Sequence, residues 1–187
     1  MHPFLPLADL GHRIVIFGPS NAGKSTLAEA LSRKLDIPAV HLDQLHHTPH
    51  TDWVPRPKDE FHALQRAAMA GEAWVMDGNY SGLVDERLAR ATGAIVLDDN
   101  HWLRLARYFN RTLFQRYRPG ALDGNRDSVK WSMIHWVAFA SRHNGARYRQ
   151  MVERTALPRV FCGSMGEVKA LYQHWGLTGA EAPETSW

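Results

Sequence analysis

Cysteine is nearly absent from this chain: Cys162 stands alone among 187 residues. One thiol cannot close an internal disulfide and excludes the multi-cysteine zinc frameworks, so a reducing, cytoplasmic setting is expected. Long apolar runs are missing too. The most apolar later stretch, Met133 to Ala140, contains His135 and is far shorter than the roughly 18 to 20 residues that cross a bilayer. The opening MHPFLPLADLGH has no Lys or Arg before its apolar residues, and Pro3, Pro6 and Asp9 interrupt it, so it lacks the layout of a secretory signal. Lysine is scarce as well: among 22 basic residues only Lys24, Lys34, Lys58, Lys130 and Lys169 are lysines. Internal repeats, low-complexity tracts and an interdomain linker are not found.

What is present, 44% hydrophobic and 22% charged residues, suffices for one domain, residues 1–187, with its own core. The net charge of +3 hides an asymmetry. Arginines gather between Arg104 and Arg159, where Asp123, Asp127 and Glu153 are the only acids. Such a segment is either a solvated helical face or one that handles anions, because the planar guanidinium fork suits bidentate phosphate contacts. Nucleic acid is the weaker partner class, since no five basic residues run together and neither zinc-finger spacing nor an aromatic RNA-binding signature occurs.

Periodicity orders the chain. Arg13 to Phe17 is a β-branched run ending at a glycine, the pattern of a buried parallel strand. Leu27, Ala28, Leu31 and Leu35 recur at helical spacing, and Pro38 then forces an extended chain into Ala39 to Leu42. Further strands are predicted at Ala73 to Met76, Ala94 to Leu97 and Arg159 to Cys162, with helices around Lys58 to Ala70, Leu83 to Ala91, Trp102 to about Tyr117, Ser128 towards Thr155 and, after the last strand, to about Trp175. The alternation implies a three-layer α/β unit with a parallel sheet. Its one irregular insertion, between the fourth and fifth strands, carries the arginines and reads as a lid over approximately residues 112–130. The tail, 177–187, is expected to fray.

The strongest local signal is Gly18-Pro-Ser-Asn-Ala-Gly23-Lys24-Ser25, which fills every position of G-x-x-x-x-G-K-[ST] between a predicted strand and a predicted helix. Glycines let backbone N–H groups curl around phosphate oxygens, and the helix N-terminus adds positive dipole. Gly18, Ser20, Asn21, Ala22 and Gly23 therefore cradle phosphate, Lys24 reaches the β and γ phosphates, Ser25 ligates Mg²⁺, and Thr26 touches the α phosphate by analogy with such loops. Mg-ATP is the expected cofactor. Two carboxylates follow at strand ends. Asp77 either joins the Mg²⁺ shell, through water, as a Walker B residue or simply forms an Asp-Gly turn. Asp43 either orients an acceptor hydroxyl and takes its proton or caps a turn.

At these residues the chain resembles the P-loop kinases of the adenylate kinase and shikimate kinase type. More narrowly, His41-Leu-Asp-Gln-Leu45, Trp74-Val-Met-Asp-Gly-Asn-Tyr80 and Arg107-x-x-x-Arg111 look like the adenylate-kinase-like bacterial family of DNA topology modulation proteins. The resemblance implies strand order 2-3-1-4-5, ATP in the P-loop and an arginine lid closing on the phosphates. It gives Arg107 and Arg111 catalytic lid roles, with Arg111 stacking near adenine and contacting phosphate, and adds Arg116, Arg118 and Arg126 as further lid members. Where an adenylate kinase continues Asp-Gly with Phe-Pro-Arg to hold AMP, this chain has Asn79, Tyr80, Ser81 and Gly82. Acceptor binding accordingly falls to Asp43, Asp77, Asn79 and Tyr80, with Arg87 or Arg56 in place of the missing arginine, and an acceptor other than AMP is expected. The alternative function is a nucleotide-dependent regulator or DNA-associated NTPase; the oligomeric expectation is monomer or homodimer.

Weaker signals remain. His41, His46, His47 and His50 cluster after the second strand, either around a transition metal or as pocket and surface histidines. Trp131, Trp136, Phe139 and Tyr148 read as core rather than a base-stacking platform. Cys162 reads as a small core hydrophobe.

Overall fold

The computed structural model describes residues 4–51, 53–98 and 144–179. Five short strands, β1 (Arg13–Phe17), β2 (Ala39–His41), β3 (Trp74–Asp77), β4 (Gly93–Leu97) and β5 (Arg159–Cys162), form one sheet in the order β2-β3-β1-β4-β5. Every pairing is parallel. The helices are α1 (Lys24–Leu35), α2 (Leu42–His46), α3 (Lys58–Met69), α4 (Val84–Arg90), α5 (Asn144–Glu153) and α6 (Met165–Trp175).

A strand buried on both faces sends alternate side chains into two cores. Along β1, Ile14 and Ile16 join Leu27, Ala28 and Leu31 of α1 and Val168, Leu171 and Trp175 of α6. Val15 and Phe17 point the other way, toward Leu42 of α2, Met69 of α3 and Val152 of α5. Ile14, Ile16, Leu27 and Leu31 have no exposed surface, and each fully buried aliphatic side chain contributes about 1.5–3 kcal/mol. Cys162 is buried in the first of these cores, and burial pushes its thiol up to about 12, so it stays protonated and packs as a hydrophobe.

The expected strand order is the observed one, while several element ends differ by a single residue: β3 begins at Trp74, β4 at Gly93, and α4 spans Val84–Arg90. Leu42 begins α2 rather than ending β2; its side chain is buried in the same core as Met76, on the face to which Val40 also points. Asp77 belongs to β3, in register with Ile16 of β1 and His41 of β2. The start of the tail is docked rather than frayed: Leu177 N–H donates to Tyr172 O at 2.9 Å, and the Arg33 guanidinium donates to the carbonyls of Thr178 and Gly179. Residues 180–187 and the predicted lid, 112–130, lie outside the described residues, as do the predicted helix from Trp102 to about Tyr117, the start of the one from Ser128, and Trp131, Trp136 and Phe139. Among the described residues no helix is long and apolar enough to cross a membrane.

Candidate active site

The carboxyl ends of β1, β2 and β3 converge on one edge, where open parallel sheets place their ligands. The loop leaving β1 begins at Gly18, with φ +147°; a Cβ there would sit 2.3 Å from the Leu97 carbonyl oxygen. Asn21 (φ +62°) and Gly23 (φ +89°) also adopt left-handed backbone as the chain turns into α1. Lys24 Nζ folds back to donate to Pro19 O at 3.0 Å. Asn79 brackets the start of the loop: its Oδ1 accepts from Gly18 N–H at 3.3 Å and its Nδ2 donates to Gly18 O at 2.6 Å. Asn79 was expected at the acceptor; its amide is instead taken up by the phosphate loop, since only a group with both donor and acceptor can pair with one residue's N–H and C=O together.

Asn21, Ala22, Gly23 and Thr26 form one wall of a cavity of about 490 Å³, and Val168 and Tyr172 of α6 stand on the far side. Ser20 is half-buried beside it in sequence.

Ser25 lies in the first turn of α1 and its Oγ donates to Asp77 Oδ2 at 2.7 Å. The other oxygen, Oδ1, is 2.5 Å from His41 Nδ1, and His41 Nε2 is 2.9 Å from Glu29 Oε1. His41 and Asp77 are each only 5% exposed. Burial on its own would lower the His41 pKa, but hydrogen bonds and charge from Asp77 and then Glu29 outweigh it and hold the ring at about 8. With a carboxylate facing each nitrogen, both donate and the ring is an imidazolium at neutral pH. Glu29 escaped the sequence reading although it stands four residues after Ser25, the spacing that puts two side chains on one helix face.

Asp43 lies in the first turn of α2, past the strand end where it was expected. Its side chain does not cap that helix; Oδ1 accepts from the Tyr80 hydroxyl at 2.7 Å. Burial and then the Asp43 charge raise the Tyr80 pKa, so the phenol keeps its proton and acts as donor. Rings continue from there: Tyr80 lies against His46 and Phe61, His46 against His47, and His47 against Trp53. Burial, then the neighbouring His47, lowers the His46 pKa despite Asp43. His50 and Trp53 carry positive φ of +59° and +58°, a strained backbone of the kind that gathers at binding sites. No three His, Cys, Asp or Glu among the described residues are placed to hold a metal ion.

Arg87 was expected at the acceptor, yet it is 1% exposed. It lies over the Phe17 ring and donates to Tyr80 O at 2.8 Å. Burial lowers its pKa to about 10, against the opposing effect of Tyr148, so it remains charged and supports Tyr80 from behind. Arg56 is likewise engaged, with Leu45 O and Glu60. Arg107, Arg111, Arg116, Arg118 and Arg126 lie outside the described residues.

A shikimate kinase from Bacteroides thetaiotaomicron superposes with a TM-score of 0.52 at 18% identity, over 88% of this chain and 94% of that one. A candidate kinase from Chloroflexus aurantiacus gives 0.50 at 17% identity, over 86% and 96%. The fold is that of the P-loop kinases. At such identities the likeness to these P-loop kinases is one of fold. No protein-family model matches the chain, and no curated protein does. The narrower resemblance to DNA topology modulation proteins finds no support in the comparisons and rests on the sequence motifs.

Proposed function

We propose that this protein is a Mg-ATP-dependent phosphotransferase that phosphorylates a hydroxyl of a small molecule. The observation that carries this reading is the meeting of Ser25 and Asp77 at 2.7 Å under a full phosphate loop, with the Asp43–Tyr80 pair on the neighbouring strand end. The donor set fits Mg²⁺: one hydroxyl and one carboxylate are hard oxygen ligands, and so small a protein contribution suits an ion that keeps waters and takes its remaining oxygens from phosphate. Ser25 would hold it directly and Asp77 through water. When bound, Mg²⁺ neutralises charge on the β and γ phosphates.

The chain's own residues supply the rest. Loop N–H groups and the α1 N-terminus hold the phosphates, Lys24 swings from Pro19 O onto the terminal phosphates, and Thr26 guides the nucleoside toward the cavity against α6. Tyr80 engages one oxygen of Asp43, leaving the other to orient the acceptor hydroxyl and take its proton as the O–P bond forms and ADP leaves. The expected lid arginines, Arg107, Arg111, Arg116 and Arg118, close over the phosphates and exclude water. A hydroxyl is favoured over AMP because Asn79 is taken up by Gly18 and Arg87 by Tyr80, so that among the described residues neither supplies a guanidinium to an AMP phosphate.

The test is Mg-ATP turnover across nucleosides, nucleoside monophosphates, sugars and hydroxy acids, with Lys24→Ala as control. Lys24-dependent ADP release stimulated by a hydroxyl acceptor, with the phosphorylated product recovered, supports the assignment. Salt-sensitive DNA binding with only acceptor-independent hydrolysis would replace it with the regulatory NTPase reading.

A further inference from the structure

The Walker B carboxylate is not left to find its own orientation. Asp77 ends β3 and has two side-chain torsions by which either oxygen could face Ser25. His41 is its register partner on the adjacent parallel strand, so the two side chains emerge side by side on one face of the sheet. His41 Nδ1 occupies Oδ1, and only Oδ2 remains for Ser25. The imidazole is fixed in turn at its far nitrogen by Glu29 of α1. A ring flip would set carbon edges against both carboxylates, so the two contacts lock its plane. The line Glu29–His41–Asp77–Ser25 leaves α1 and returns to it by way of β2 and β3, tying the first two turns of the helix to the sheet edge.

From this geometry we infer that His41, anchored by Glu29, is a positioning residue that presents a single oxygen of Asp77 to the nucleotide-bound metal. The inference rests on the phosphotransferase reading above and adds a residue to it. His41 touches neither nucleotide nor acceptor and acts through Asp77. Partners of this kind, one step removed from a metal, typically change metal affinity 10- to 100-fold when replaced.

Two amides separate this role from general structural support. Asparagine carries a donor near the position of Nδ1, where it reaches Asp77; glutamine carries one near Nε2, where it reaches Glu29. Mn²⁺ binding to the ADP complex of the full chain, followed by the electron paramagnetic resonance signal of the free ion, is the readout. Thermal unfolding without metal or nucleotide is measured alongside. His41→Asn should hold Mn²⁺–ADP within about threefold of wild type, whereas His41→Gln should lose at least about tenfold. Glu29→Leu, which frees the ring but keeps it, should fall between them. Equal metal affinity in His41→Gln and wild type overturns the assignment, as does a loss in both His41 variants that merely follows their loss of metal-free stability. If His41→Gln does not fold, Glu29→Leu decides: unchanged Mn²⁺–ADP affinity there overturns the anchoring of His41. A wild-type protein that binds no Mn²⁺–ADP overturns the phosphotransferase reading itself.

Discussion

The loop between β1 and α1 and the ends of β2 and β3 lie side by side and are built in opposite ways. Between β1 and α1 the shape is set mostly by main chain: the backbone at Gly18, Asn21 and Gly23 adopts left-handed conformations. At the ends of β2 and β3 the contacts are made by side chains of Glu29, His41, Asp43, Asp77 and Tyr80, drawn from α1, β2, α2, β3 and the segment after it. A site made of backbone is sensitive to steric change at a few glycines and indifferent to most side chains. A site made of side chains should fail by chemistry, one group at a time, while the fold persists.

The largest expected effect is at the one side chain on which the backbone site depends for charge. Lys24→Ala should lower acceptor-dependent turnover by on the order of 10³ in kcat with little change in the thermal midpoint, because Lys24 is half-buried and contributes nothing to either core. A loss below tenfold would place the catalytic charge elsewhere.

The glycines sharpen the comparison. Gly18→Ala sets a Cβ 2.3 Å from the Leu97 carbonyl and should cost about 3 kcal/mol or more in urea unfolding. Gly23→Ala also demands positive φ but meets nothing within 4 Å, and should cost only about 1–2 kcal/mol. Equal costs would mean that the loop relaxes freely and that its shape is not imposed by β4. On the acceptor side, Asp43→Asn keeps the size and an acceptor for Tyr80 yet cannot take a proton, so kcat should fall about 10²-fold with unfolding unchanged. A parallel loss of stability would show that the side chain network is structural after all.

The same contrast explains what the sequence disclosed. The phosphate loop has a local code, since glycine spacing and a following Lys-Ser are demanded by backbone curvature within eight residues, and the strand order followed from the resemblance that this code carried. Asp77 was legible as a strand-end carboxylate, and Asp43 as a carboxylate near one, though it lies in the first turn of α2. Their partners were not, because His41 to Asp77 spans 36 residues and Tyr80 to Asp43 spans 37, and no local pattern records a contact made only when β2 settles against β3. Asn79 and Arg87 were given to the acceptor by comparison with the position where an adenylate kinase holds AMP. In the fold Arg87 is buried over Phe17 and Asn79 pairs with Gly18, contacts that no local pattern records.

The smallest effect tests the charge state on which the side chain site depends. The folded His41 pKa is raised to about 8 from an ordinary 6.5, so the imidazolium stabilises the fold fully below pH 6.5, and that stabilisation is lost as pH rises through 8. At 1.36 kcal/mol per pKa unit the difference is about 2 kcal/mol. Urea unfolding of wild type and His41→Asn, both free of metal and nucleotide, should therefore show a gap about 2 kcal/mol larger at pH 6 than at pH 9. Titrating groups that do not touch His41 are shared by the two proteins and cancel in the comparison. A gap that stays constant across that range would mean that His41 is neutral in the fold; a gap that grows with pH would reverse the sign of the interaction.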